Sequence, residues 1–229
     1  MRVIFVRHGH PNYEIDCLTE LGHLQAEAAA ERLKDEPIDK IYASSCGRAV
    51  ETAEHIASRH NDMPVHQYDF IRELAWGCKD GDKIDYTWTP WSISKELIAR
   101  GETLMQPNWM EHPLLEDNLL LQSVPRVIEG LDKWLAELGY VREGDHYRVK
   151  EDNPQTVVMA SHAGSSSAVM SHLFNLPFPF VCKAIQPKCT AVTIITFNGE
   201  EGKLISPMIE LMNDARHIAG IEVKNVFGN

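Results

Sequence analysis

A short apolar run at the start of the chain, Val3-Ile4-Phe5-Val6, ends in Arg7-His8-Gly9. A guanidinium and an imidazole side by side can hold an anion, move a proton or attack an electrophile. Taken alone, the pair also fits a sheet cap and a core histidine. Related groups follow at wide intervals. Arg48 lies in Ser44-Ser45-Cys46-Gly47-Arg48, Glu73 in Ile71-Arg72-Glu73-Leu74, and His162 in Ser161-His162-Ala163-Gly164. Brought together, they make a phosphate pocket. Two guanidiniums hold phosphoryl oxygens through paired hydrogen bonds, a neutral imidazole attacks phosphorus, and a carboxylic acid protonates the leaving oxygen. The free N–H groups of a helix starting near Ala163 and Gly164 would favour the same anion.

The segments before these groups read as strands whose carboxyl ends carry them, which is where open α/β sheets bind ligands. They are Arg2 to Val6, Ile38 to Ala43, Pro64 to Tyr68, and Gln155 to Ala160. Side chains alternate along a strand, so Arg7 and His8 meet one ligand only if the chain turns, and Gly9 and Pro11 supply the turn. Thr19 suits the N-cap of a first helix, with Leu21, Leu24, Ala28 and Leu33 as its apolar stripe and Pro37 as its stop. Ser44-Ser45 suits the cap of a second, from about Gly47 to His60, with Ala49, Ala53 and Ile56 on one face. A helix to about Phe174 follows His162.

This rhythm predicts an α/β fold, a three-layer αβα sandwich on a mostly parallel sheet. Cys189 to Phe197 and Lys203 to Leu211 read as an antiparallel pair near the C-terminus, and Pro177, Pro179 and Pro187 as a loop. Residues from about 77 to 153 break the rhythm and read as a helical or irregular cap inserted in a single domain, 1–229. One helix is expected there, from Gln122 to Gly139. Trp76, Trp88, Trp91 and Trp109 read as the insertion's own small core or, in part, as lining of the substrate pocket. The last dozen residues read as a tail or a short added element.

Formal net charge is −11, which argues against nucleic acid or an anionic membrane as a general partner. No apolar run approaches the roughly 20 residues of a membrane span, and the N-terminal run is too short for a signal peptide. A cytoplasmic location is therefore expected. The five cysteines contain no CxxC pair and read as reduced thiols. Oligomeric state is not readable.

The pattern resembles the histidine phosphatase superfamily, which includes the cofactor-dependent phosphoglycerate mutases. The blocks that carry the resemblance occur in the family's order. They are Arg7-His8-Gly9, Leu18-Thr19-Glu20-Leu21-Gly22 with Gln25-Ala26, Ser44 to Ala49 with Thr52-Ala53, Arg72-Glu73-Leu74 with Gly77 and Gly81, and Ser161 to Gly164. No motif covers the insertion. The resemblance implies that His8 is the nucleophile and forms a phosphohistidine. It implies that Arg7, Arg48 and His162 bind the phosphoryl group and its transition state, and that Glu73 is the proton donor and then the base. It implies no metal and no cofactor. Neighbouring guanidiniums would keep His8 neutral, and bound phosphate would raise the pKa of Glu73. Activity should then be bell-shaped in pH or fall toward alkaline pH.

The sequence departs from the family after Arg-His-Gly, where Glu or Gln followed by Thr or Ser is usual and His10-Pro11 stands here. The Asn often found a little later is Glu14, and Asn12 or Tyr13 are candidates for its contact. His10 reads as a substrate contact or a supporting group. Arg72 to Gly81 lacks the mutases' acid-Arg-His-Tyr-Gly block, and Asp80 takes the acidic place of a Gly-x-x-acid-Gly segment. That favours a histidine acid-type phosphatase acting on a small phosphomonoester over a mutase. Two rival readings carry less weight. His8-x-His10 also opens some metal-dependent amidohydrolase sites, but only His162 among later residues fits. A non-catalytic phosphoryl-binding module is expected to have lost a member of the set, and all are present. Glu111, Glu116 and Asp117 in the insertion disfavour a polyanionic substrate if they face the pocket.

Overall fold

The computed structural model describes residues 1–81 and 83–221. Its centre is a six-stranded sheet. The strands are β1 (Arg2–Arg7), β2 (Lys40–Ser44), β3 (Val65–Tyr68), β4 (Thr156–Ser161), β5 (Val192–Thr196) and β6 (Met208–Asp214). Their order across the sheet is β6-β5-β1-β4-β2-β3. β1, β4, β2 and β3 pair in parallel, and β5 runs against both of its neighbours. The α/β class read from the sequence is the one observed.

Both faces of the sheet are covered, so its central strands are apolar throughout. On one face Ile4, Val6, Ile41, Ala43, Val158 and Ala160 pack on α1 (Glu20–Leu33) and α2 (Gly47–Ser58). On the other, Val3, Phe5, Val157 and Met159 join a larger core. That core includes α3 (Pro90–Ala99), α4 (Leu120–Glu137), α5 (Ala163–Leu173) and α6 (Phe178–Ala184). α4 lies within the stretch between 77 and 153, yet its Val127, Leu131 and Trp134 are buried in the same core as the sheet. Trp109 is buried with its ring centroid 5.0 Å from that of Phe178, and Trp76 meets Trp91 edge-on at 5.7 Å.

Several local expectations are corrected. Leu24 is 61% exposed, and α1 instead buries Gly22, Gln25, Ala26, Ala29, Ala30 and Leu33. The inward face is rich in small residues, and its start comes close to the loop after β1. A Cβ on Gly22 would stand 2.2 Å from the backbone oxygen of His10. Ser44 is the last residue of β2 and does not cap α2, whose N-cap is Cys46 without a side-chain bond. Pro177 and Pro179 open α6 and do not mark a loop, since proline is tolerated in a first helical turn. α3 was not expected; Thr89 caps it through a capping box with Pro90 behind it.

The C-terminal pair also differs. Met208–Asp214 pairs with β5, whereas Leu204–Ile205 joins a hairpin of Tyr140–Glu143 and His146–Val149. Of the last dozen residues, Ile218 belongs to a short 3-10 turn, Arg216–Ile218, and residues 222–229 lie outside the described residues. No helix among the described residues is long and apolar enough to cross a membrane.

Candidate active site

His8 follows β1 and is 1% exposed. Its backbone N–H donates to Ser161 O at 2.9 Å, which ties the ends of β1 and β4 together. Its ring Nδ1 lies 2.7 Å from Gly9 O. A carbonyl oxygen only accepts, so Nδ1 carries the proton and Nε2 keeps its lone pair. Burial, aided by Arg7 and Arg48, pushes the pKa of His8 well below the usual imidazole value. The ring is therefore neutral, with a nucleophilic nitrogen free.

His162 sits at the end of β4, with its ring centroid 5.1 Å from that of His8. Its Nε2 is 2.8 Å from Ser44 Oγ. That oxygen accepts the Cys46 N–H at 3.2 Å, so its own proton can go to His162 Nε2. His162 Nδ1 is then a donor, and it is buried without a partner in the protein. Burial, then His8, Arg48 and Arg7, lower the pKa of His162 well below its usual value.

The two guanidiniums are held by one edge each. Arg7 Nη1 donates to Pro187 O at 2.7 Å. Arg48 Nη1 pairs with Asp16, whose other oxygen accepts the Gly47 N–H at 2.9 Å. The Tyr13 ring lies 5.4 Å from Arg48 Cζ. Arg7 Nε and Arg48 Nε are both buried without a partner. Buried donors in this state are rare, and donors of this kind beside two imidazoles are able to receive an anion.

Glu73 corrects one expectation. The Gly164 and Ser165 N–H groups at the start of α5 are not free for an anion, because they donate to its carboxylate at 3.3 and 3.0 Å. The Leu74 N–H adds a third bond at 3.0 Å. Burial nevertheless raises the pKa of Glu73, against these donors and Arg7. The carboxyl is thus fixed, and it holds its proton to higher pH than a solvated one.

Of the site residues expected from the sequence, Arg7 ends β1, His8 follows it, Glu73 lies in the loop after β3, His162 caps α5 after β4, and Arg48 lies in the first turn of α2. Others were missed. Asp16 gave no signal, because its partner lies 32 residues away in sequence. Ser44 was read only as a cap. Arg126 of α4 donates through Nη2 to Arg72 O at 2.8 Å and Glu73 O at 3.1 Å, and so fixes the backbone of the acid. Of the two candidates for the missing Asn, Asn12 uses its Oδ1 on the Glu14 N–H at 3.0 Å, and Tyr13 is the one that reaches a site residue. Among the described residues no group of three or more His, Cys, Asp or Glu side chains is arranged to hold a metal ion.

The model of the histidine phosphatase superfamily (branch 1) matches residues 3–112. A probable phosphatase of Schizosaccharomyces pombe is 33% identical over 208 residues, covering 86% of this chain and 83% of that protein. A 2,3-bisphosphoglycerate-dependent phosphoglycerate mutase of Bartonella tribocorum is 26% identical over 211 residues, with 86% and 92% covered. Among solved structures, a phosphoserine phosphatase from Entamoeba histolytica in complex with phosphoserine superposes with a TM-score of 0.63 at 20% identity, over 95% of this chain and 98% of that one. A mycobacterial glucosyl-3-phosphoglycerate phosphatase gives 0.62 at 22% identity, over 93% and 98%. At such identities the structural likeness speaks for the fold. The sequence relative speaks for descent: a third of its residues shared along most of both chains makes this chain a member of the histidine phosphatase superfamily.

Proposed function

We propose that the chain hydrolyses small phosphomonoesters through a phosphohistidine on His8. In the first half-reaction His8 Nε2 bonds to phosphorus as the ester P–O bond breaks, and Glu73 gives its proton to the leaving oxygen. In the second, Glu73 takes a proton from water, the water oxygen bonds to phosphorus, and the P–N bond breaks to release phosphate. Arg7, Arg48 and His162 Nδ1–H hold the phosphoryl oxygens throughout. The observation that carries this reading is the state of His8. Its Nδ1 is engaged by Gly9 O, its Nε2 is free, and it stands 5.1 Å from His162 with partnerless donors nearby.

The probable phosphatase among the relatives supports hydrolysis, as does the absence of the mutase block between Arg72 and Gly81. The Bartonella relative keeps phosphoryl transfer between hydroxyls as the second reading. Incubation with phosphomonoesters separates them, since hydrolysis releases inorganic phosphate and a mutase returns an isomeric ester. Quenched turnover should leave acid-labile phosphate on His8, and His8→Ala should leave none. Wild-type turnover in His8→Ala would sink the mechanism.

A further inference from the structure

One residue facing the end of β1 has a backbone that its type disfavours. Thr190 is fully buried and has φ +55°. That left-handed region suits glycine, and a β-branched residue seldom enters it. The hydrogen bonds show what the conformation achieves. The ladder pairs Val6 with Val192, so Arg7 would next face Ala191 alone. Instead the Arg7 N–H donates to Ala191 O at 3.3 Å, the Thr190 N–H donates to Arg7 O at 3.0 Å, and the Ala191 N–H turns back to Lys188 O at 3.1 Å. Thr190 and Ala191 thus stand together opposite Arg7. This is the pattern of a β-bulge whose left-handed first residue is ordinarily glycine, a device that re-aims side chains beside active sites.

The bulge reaches the nucleophile. The same Thr190 N–H also donates to His8 O at 3.3 Å. His8 is therefore gripped from both sides, its N–H by Ser161 O of β4 and its carbonyl by Thr190. The peptide that joins His8 to Gly9 is fixed at its other end too, where the Gly9 N–H donates to Thr52 Oγ1 at 3.0 Å. A glycine at 190 would supply the same backbone and the same N–H without strain. What threonine adds is a hydroxyl. Its Oγ1 donates to Cys189 O at 2.8 Å and meets His217 Nε2 at 3.0 Å. His217 belongs to the 3-10 turn after β6, so the bulge is braced against a separate segment.

Resting on the hydrolase reading above, we propose that Thr190 is a positioning residue for His8. Its hydroxyl, braced by His217, holds the bulge whose N–H fixes the Arg7 and His8 carbonyls, and so fixes the direction of the attacking ring. It acts through the backbone and touches no reacting atom. The brace accounts for a threonine where the conformation calls for glycine, since strain of this kind persists only where the surroundings over-determine it.

Three variants test the assignment. Thr190→Gly keeps the left-handed backbone and the N–H and removes the hydroxyl. Thr190→Ser restores the hydroxyl without the methyl group. His217→Ala removes the brace from its other side. The readouts are the single-turnover rate of phosphohistidine formation from p-nitrophenyl phosphate and the His8 Nδ1 nitrogen resonance, both at a temperature where thermal unfolding shows every variant folded. Thr190→Gly and His217→Ala should each slow phosphorylation about tenfold and shift the resonance, and Thr190→Ser should stay within about twofold of wild type. The double variant Thr190→Gly/His217→Ala should be no slower than either single one, because both cut the same contact. A Gly variant at the wild-type rate, a Ser variant as slow as the Gly variant, or losses that multiply in the double variant would overturn the assignment. So would a loss of stability with rate and resonance unchanged. If the resonance responded as stated but the wild type formed no phosphohistidine, the hydrolase reading would fall and the positioning of the His8 ring would stand.

Discussion

At the residue scale, the division of labour in the proposed mechanism depends on protonation states set by position. Glu73 works as an acid only while protonated, and its raised pKa extends that range upward. His8 attacks only while neutral, and its lowered pKa extends that range downward. The pH profile of kcat/KM should therefore be bell-shaped, with its acid limb below the ordinary imidazole value and a decline as Glu73 loses its proton. Glu73→Gln should cost an alkyl phosphate about 100-fold or more in kcat. The same variant should cost p-nitrophenyl phosphate little, because nitrophenolate leaves without a proton. Equal losses on both would remove Glu73 as the acid. Asp16 is a different case. Its carboxylate orients Arg48 but is 45% exposed, so solvent screens the pair. Asp16→Asn should raise KM roughly fivefold, equivalent to about 1 kcal/mol, with kcat kept.

At the scale of elements, glycines mark where secondary structure is pressed against the chemistry. A Cβ on Gly164 would stand 2.6 Å from Glu73 Oε1, so α5 can receive the carboxylate at its start only with glycine there. The obstacle is a side-chain end, which can shift where a backbone atom cannot. Gly164→Ala should leave thermal stability close to wild type and displace Glu73, giving the same leaving-group dependence as Glu73→Gln. Gly22→Ala meets the fixed backbone oxygen of His10 at 2.2 Å. It should lower stability by about 1–3 kcal/mol in denaturant unfolding. The parallel strands were legible in the sequence because each is a short apolar run closed by polar residues. The buried face of α1 was not, because close approach to the loop selects Gly22 and Ala26 over Leu24. α3 and α6 were hidden by prolines that suit a helix start as well as a loop. The Tyr140–Val149 hairpin carried a usable signal in Glu143-Gly144-Asp145, where Gly144 turns with φ +59°. Asp16 and Arg126 were out of reach, since only the fold brings them to Arg48 and to the Glu73 backbone.

At the scale of the whole molecule, the fold holds two buried imidazoles neutral at the carboxyl edge of its parallel strands, and this couples stability to pH. Unfolded histidine titrates near about 6.5. His8 and His162 titrate well below that when folded, so between those values the unfolded chain binds more protons. Stability from these groups is present above about pH 6.5 and is lost as pH falls toward their folded values. His10 and His217 are shifted in the same direction. Glu73 works oppositely. Its folded pKa is raised, so its share is present at low pH and is lost as pH rises through that value. Asp214, held far below the carboxylate range by Arg216 and Arg32, keeps its charge until much more acid conditions. The histidines therefore outweigh the single acid, and unfolding free energy should fall from pH 7 toward pH 5. Each buried imidazole contributes a slope of at most about 1.4 kcal/mol per pH unit. His8→Gln removes one such group and should flatten the dependence, so that its urea midpoints converge on those of wild type, or rise above them, as pH falls. Parallel midpoints across that range would show that His8 is not held neutral by the fold, and the nucleophile would then lack its lone pair at acid pH.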